Sequence, residues 1–192
     1  MTIFLILAPF GSFALLMLVT SSAISLFAAA AICLGVVGID LYRGRSIKML
    51  GAGSVVLFSG LGAYVTLVDP TLSSSAVKLA IDIGVLAISL VSLIIRKPFI
   101  LQYALEEVDA KTAKQPGFLR AVYLITWAWN AAFVLMMIGN VLTIYVPGLP
   151  LWSSLVIAFA ARNSAAYFTT WYPQYRKAKY GTPPADALPG TN

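Results

Sequence analysis

Residues 3 to 39 contain no charged side chain, and that one run rules out most of what a chain of this length could fold into. A helix needs about 20 apolar residues to cross a hydrocarbon core of about 30 Å, so the run is too long for one ordinary crossing. It is interrupted by Thr20, Ser21 and Ser22, and two helices in a hairpin fit it best, over about 3–19 and 22–39. Pro9 and Gly11 make the first of these either a kinked helix or a re-entrant half-helix. The start, MTIFLILAPFGSF, has no basic segment ahead of its apolar stretch and no clear small-residue cleavage site, so it reads as part of the mature fold rather than a cleaved signal.

The rest of the chain repeats the theme. Of 192 residues 60% are hydrophobic and 10% charged, and the mean hydropathy is +0.89, against about 25% charged residues in a soluble domain. Further apolar runs cover about 48–68, 74–95, 118–145 and 151–172. The expected fold is an all-α integral membrane protein, a bundle of five to six transmembrane helices in one domain over residues 1–172. Residues 173–192 are expected to form a basic, then disordered, cytoplasmic tail, ending in the Pro- and Gly-rich GTPPADALPGTN.

Charge orients the bundle. Eleven of the 13 Lys and Arg residues lie in or beside three stretches: the turn DLYRGRSIK with Arg43, Arg45 and Lys48, the segment from Arg96 and Lys97 to Arg120, and Arg176, Lys177 and Lys179. The turns near Ser21, Asp69–Pro70 and Pro147–Pro150 carry none. Basic loops stay cytoplasmic, so the C-terminus is expected on the cytoplasmic side, and the N-terminus too if the first segment crosses. Between Pro98 and Pro116, Phe99, Ile100, Tyr103, Ala104 and Val108 fall near one helical face and Glu106, Glu107 and Asp109 near another. That pattern fits a cytoplasmic interfacial amphipathic helix, or else a solvated connector.

Composition also narrows the chemistry. There is no histidine and one cysteine, which counts against haem, iron–sulfur and zinc sites and leaves no cofactor to expect. Cys33 lies in an apolar run and reads as a small packing residue. The net charge of +6 is dispersed between hydrophobic runs, a pattern for anionic lipid rather than nucleic acid. No nucleotide loop, metal-ligand spacing or nucleophile elbow is present, so nothing supports an enzyme. Gly51, Gly53, Gly60 and Gly62, and the ladder Ala76, Ala80 and Gly84, read as small residues that let helices approach closely. Trp127, Trp129, Trp152, Trp171 and Tyr172 read as interface and packing aromatics.

Two deep charges stand out in the fourth long run. Lys78 and Asp82 are one turn apart on a face that also carries Ser75, Ser89 and Arg96, and an i,i+4 ion pair would let both charges persist in hydrocarbon. Arg162 lies about 17 Å along the last helix, near the midplane, within reach of Asp82. A buried polar cluster of Lys78, Asp82 and Arg162 is expected, with Asn130 and Asn163 as intramembrane polar neighbours and Asn140 bonding between helices. Such a cluster is either a site for a solute, ion or proton, or a clasp that fixes helix register. Two cations around one carboxylate favour an anionic visitor.

The order of features resembles a known family. An early Pro9, the turn LYRGRSIK, Lys78 near the start of a helix, IIRKPFILQYALEE, and WAWNAAFVLMMIGNVLTIYV leading into a final helix together resemble the bacterial intracellular septation protein A family. The similarity runs from about residue 4 to 172 and is most specific over Ser74 to Tyr145, where Arg96, Lys97, Pro98, Trp129 and Asn140 carry it. It implies an inner-membrane protein of cell-envelope maintenance and septation that works through contacts with elongation and division proteins, with no established enzymatic activity. The partners expected are the lipid bilayer and other inner-membrane proteins. Arg96, Lys97, Glu106 and Glu107 would lie on the cytoplasmic contact face. Arg162 and the uncharged first hairpin fall outside the resemblance. The buried Lys78, Asp82 and Arg162 cluster supports a second reading, a small transporter or channel working as a homodimer, and the scarcity of soluble features a third, an accessory subunit of a larger membrane complex.

Overall fold

The computed structural model describes residues 2–146 and 148–180. Among them are eight helices and no strand: α1 (Thr2–Leu16), α2 (Ser22–Tyr42), α3 (Met49–Leu67), α4 (Ser74–Ile94), α5 (Phe99–Glu107), α6 (Ala110–Ala113), α7 (Pro116–Tyr145) and α8 (Leu151–Tyr180).

The helix ends follow from local chemistry. A helix leaves its first N–H groups unsatisfied, and serine hydroxyls accept from two of them: Ser21 from Ile24 N at the start of α2 and Ser73 from Ala76 N at the start of α4. α2 stops where Gly44 turns left-handed at φ 69°, and Arg45 N reaches back to Asp40 O at 2.9 Å. α4 stops in the same way, with Lys97 N bonded to Ser92 O at 2.9 Å, but Arg96 holds the left-handed position at φ 57°. A side chain there costs about 1–2 kcal/mol, so this basic residue stands where glycine would be free.

Four helices among the described residues are long and apolar enough to cross a membrane: α2, α3, α4, and α7 from Gly117. This marks a membrane protein. α1 has 15 residues and rises about 22 Å, short of a full hydrocarbon core. It runs unbroken through Pro9, with the Ser12 hydroxyl donating to the Pro9 carbonyl at 2.8 Å. α8 has 30 residues, but Arg162, Asn163 and its basic last turns lower its hydropathy.

Two expectations change. The amphipathic stretch is two short helices, because Asp109 restarts the chain as the cap of α6, accepting from Thr112 N at 3.4 Å. That bonding to Thr112 also holds the Asp109 carboxyl below its ordinary value. The last helix does not end near 172. It continues through Pro173 to Tyr180, so residues 173–180 of the expected tail are helical. Rings one turn apart brace this extension: Phe168 on Tyr172 and Trp171 on Tyr175, both at 5.1 Å. Residues 181–192 and Pro147 lie outside the described residues.

The main pairings follow chain order, α1 on α2, α2 on α3, α3 on α4, and then α4 on α7 and α7 on α8, with α5 and α6 against α7. Phe58 is fully buried and holds α1 to α3, its ring 5.4 Å from Phe10 and 5.8 Å from Phe13. Glycines set the closest approaches. Phe27 of α2 covers Gly62, Ile88 of α4 covers Gly53, and Leu57 of α3 sits on Gly84. Gly60, expected in the same role, faces open space.

A side chain at position 84 would collide with Leu57, so Gly84→Val should lower the thermal midpoint of the detergent-solubilised protein by overpacking, at a cost of about 1–3 kcal/mol. Gly60→Ala should leave the midpoint unchanged. Equal midpoints for the two variants would mean that α3 and α4 do not meet at these glycines.

Candidate functional site

Two polar assemblies are built into the bundle, one in its interior and one at its basic end. The interior one begins on α4. Asp82 is 6% exposed and lies on the face that α4 turns inward with Val77, Ile81 and Val85. Its Oδ2 accepts from Asn140 Nδ2 of α7 at 2.6 Å. Asn140 is itself 5% exposed, so the amide is matched to the carboxylate in a space water does not reach freely, where a charge-assisted bond is strong.

Lys78 and Arg162 are half-buried and within Coulomb reach of Asp82. Neither forms an ion pair with it: the pairs found among the described residues all lie elsewhere. The expected i,i+4 contact of Lys78 with Asp82 is therefore not made, because Asp82 turns to α7 while Lys78 stays at the side of α4. The three charges and Asn140 instead line one cavity of about 90 Å³ enclosed mainly by α1, α4, α7 and α8, with Leu50 of α3 and Phe99 and Ile100 of α5 closing it. A single ordered water needs ~10–15 Å³ of such space, so the cavity has room for several waters or one small ion.

The other asparagines do not join this cluster. Asn163 is exposed and donates to its own helix at Phe159 O, 2.7 Å away. Asn130 is buried at 3% with neither amide atom partnered, but lies ten residues before Asn140 on α7, about 15 Å along the helix. Ser89, from the expected stripe, is fully buried, has an unpartnered hydroxyl and does not line the cavity. The opposite end of the cavity is marked by Trp129, whose indole Nε1 donates to Thr169 Oγ1 of α8 at 3.0 Å.

The basic end holds the second assembly. Lys48, between α2 and α3, is only 4% exposed, and a buried ammonium persists only when paired. Its Nζ lies 2.8 Å from Asp40 Oδ2 at the end of α2 and 3.1 Å from Glu106 Oε2 on α5. It also sits 5.0 Å over the Tyr103 ring. Arg45 reaches the same two carboxylates at 3.7 and 3.6 Å. Gln102 Oε1 accepts from Met49 N at 2.6 Å, so α5 supplies the cap that Lys48 does not give α3. Burial, with the nearby Asp40 and Glu106 carboxylates, pushes the Tyr103 phenol above its ordinary range.

Glu106, placed in the sequence on a contact face with Glu107, Arg96 and Lys97, thus faces the bundle. Arg96, Lys97 and Glu107 are exposed. The apolar face of α5 meets protein, Phe99 at 2% and Ile100 at 9% exposure, and Phe99 N donates to Ser92 Oγ of α4 at 3.1 Å. α5 is a docked ledge across the end of the bundle. On α8, Arg176 Nη1 donates to the Gly117 carbonyl and ties the last helix to the start of α7.

The chain matches no protein-family model, no curated protein and no solved structure. What fold and site define is a class: an all-helical protein with helices of membrane-crossing length, a charged interior cavity and a docked ledge at its basic end.

Asn140→Ala leaves the buried Asp82 carboxylate without its hydrogen bond and should cost about 1–3 kcal/mol, read as a lower thermal midpoint in detergent. Asn163→Ala removes only an exposed back-bond and should have no effect. The reverse order would mean that Asn140 does not hold Asp82.

Proposed function

We propose that this is a bacterial inner-membrane protein of cell-envelope maintenance and septation that works by contact with other membrane-associated proteins. Five to six helices cross: α2, α3, α4 and α7, then α8 with Arg162 lining the interior cavity, and α1, only 15 residues long, as a partial or re-entrant sixth. The basic end and the C-terminus lie in the cytoplasm. The observation that carries the reading is the ledge. Residues 96–107, in the part of the chain where the resemblance to the septation family is most specific, are fixed to α2 and α3 by the Lys48, Asp40 and Glu106 network. A fixed ledge presents Arg96, Lys97, Leu105 and Glu107 in one arrangement, so little ordering entropy opposes binding.

The tagged protein, drawn from native membranes, should bring with it envelope-synthesis or division proteins. Glu106→Ala, which leaves Lys48 with Asp40 alone, should weaken that recovery per copy of the protein in the membrane. Failure of the unaltered protein to retain any such partner would sink the reading.

The interior cavity favours a second reading, passage of a small anion. Lys78 and Arg162 face a cavity without a carboxylate in contact with either, and one carboxylate against two cations leaves the space net positive. A clasp that served only helix register would bring its charges together. In reconstituted vesicles, chloride or phosphate flux should fall with Arg162→Gln and change with Asp82→Asn. Flux equal to that of protein-free vesicles would exclude it.

A further inference from the structure

A second cavity, of about 250 Å³, lies at the basic end between α1, α2, α3 and α5. Most of its wall is apolar, formed by Val36 and Val37 of α2 and Leu50 of α3 among others, while Arg43 and Arg45, with the paired Asp40 and Lys48, stand toward its basic end. A cavity of about 150 Å³ lined by aliphatic and aromatic side chains binds benzene. This larger one has room for the first carbons of an alkyl chain.

The rim carries net positive charge. Lys48 and Arg45 share the two carboxylates Asp40 and Glu106, which leaves the Arg43 charge uncompensated. Among the described residues no carboxylate lies within ion-pair distance of Arg43, and it is exposed just past the last turn of α2. Deeper in the cavity lies Ser54, 1% exposed, whose hydroxyl has no hydrogen-bond partner. It is six residues past Lys48, about 9 Å further along the helix. A buried hydroxyl left unpaired costs free energy, and an acceptor inside the cavity would relieve it.

An occupant must therefore be apolar along the wall between α2 and α3, carry an acceptor where it passes Ser54, and be anionic where it meets the rim. We propose that this cavity is a binding site for one anionic phospholipid, with an acyl chain between α2 and α3, an ester oxygen accepting from Ser54, and the phosphate on Arg43 and Arg45. Basic pockets between helices at the membrane surface suit anionic head groups. Free phosphate shares the head-group chemistry but leaves the apolar wall uncovered. The site is separate from the ledge surface and from the interior charges, and holds whether or not the partner-binding reading does.

The test uses the full-length protein in a mild detergent, freed of lipid and then given phosphatidylglycerol, phosphatidylcholine or inorganic phosphate, with bound species counted by native mass spectrometry. One retained phosphatidylglycerol per chain is expected, with phosphatidylcholine held about fivefold more weakly. Arg43→Gln, an exposed change that leaves the core intact, should reduce phosphatidylglycerol retention about fivefold. Ser54→Leu should fill the cavity and expel the lipid. Equal retention of the two lipids, retention unaffected by Arg43→Gln, or displacement of the lipid by millimolar inorganic phosphate would each overturn the proposal. Should Ser54→Leu fail to fold, the Arg43→Gln comparison decides.

Discussion

Hydrocarbon offers no hydrogen bonds, and the architecture follows from that constraint. A polar group on a membrane-length helix is costly unless it finds a partner within the protein, and among the described residues the buried side chains without one are Ser54, Ser89 and Asn130. Most others find one locally: Thr126 donates to Val122 O and Thr66 to Gly62 O, each one turn back. A few are met across helices, and those few set which helices are neighbours. Asp82 with Asn140 joins α4 to α7, Trp129 with Thr169 joins α7 to α8, and Ser92 with Phe99 N turns the chain from α4 into α5. Polar contacts of this kind are individually modest, about 0.6 kcal/mol on average between membrane helices. Their directionality selects the register that apolar packing alone leaves open.

At the basic end the same constraint acts through charge. Lys48 lies where three elements meet and is almost fully enclosed. Enclosing an ammonium is tolerable only with anions beside it, and these come from two different helices, Asp40 on α2 and Glu106 on α5. Each carboxylate is shared with Arg45. The basic turn and the amphipathic segment are thereby one unit, and Gln102 adds the cap of α3 to it. The ledge is rigid because a buried charge requires it to be.

The positions of the long helices were legible in the sequence because they depend on apolar run length, while the serine caps at Ser21 and Ser73 and the left-handed stops at residues 44 and 96 fix their ends. Two boundaries were not legible. Pro173 and the basic cluster look like a helix end, yet stacked rings and the Arg176 bond to Gly117 carry α8 beyond them. Asp109 reads equally as one more charge on an amphipathic face or as a new cap. The site was legible in its residue types more than in its contacts. Asp82, Lys78 and Arg162 do share a cavity. Which asparagine serves Asp82 depends on helix rotation, and Asn140 and Asn163 are alike in composition while only Asn140 faces α4. The links of the Lys48 network to Gln102 and Glu106 of α5 join residues 53 or more positions apart, and no local pattern predicts such a pairing.

The two cavities share a wall. Phe10 of α1 and Leu50 of α3 line both the charged interior space and the apolar one at the basic end. Phe10 is held by its ring contact with Phe58, and α1 is shorter than α4, α7 and α8, which enclose the same cavity. A close-packed interior passes a displacement on to its neighbours rather than absorbing it, so a shift of Phe10 that enlarges one space reduces the other. The barrier between a net positive site in the interior and an apolar pocket at the basic end therefore rests on one aromatic and one aliphatic side chain. The aromatic one is carried by a helix that falls short of a full crossing.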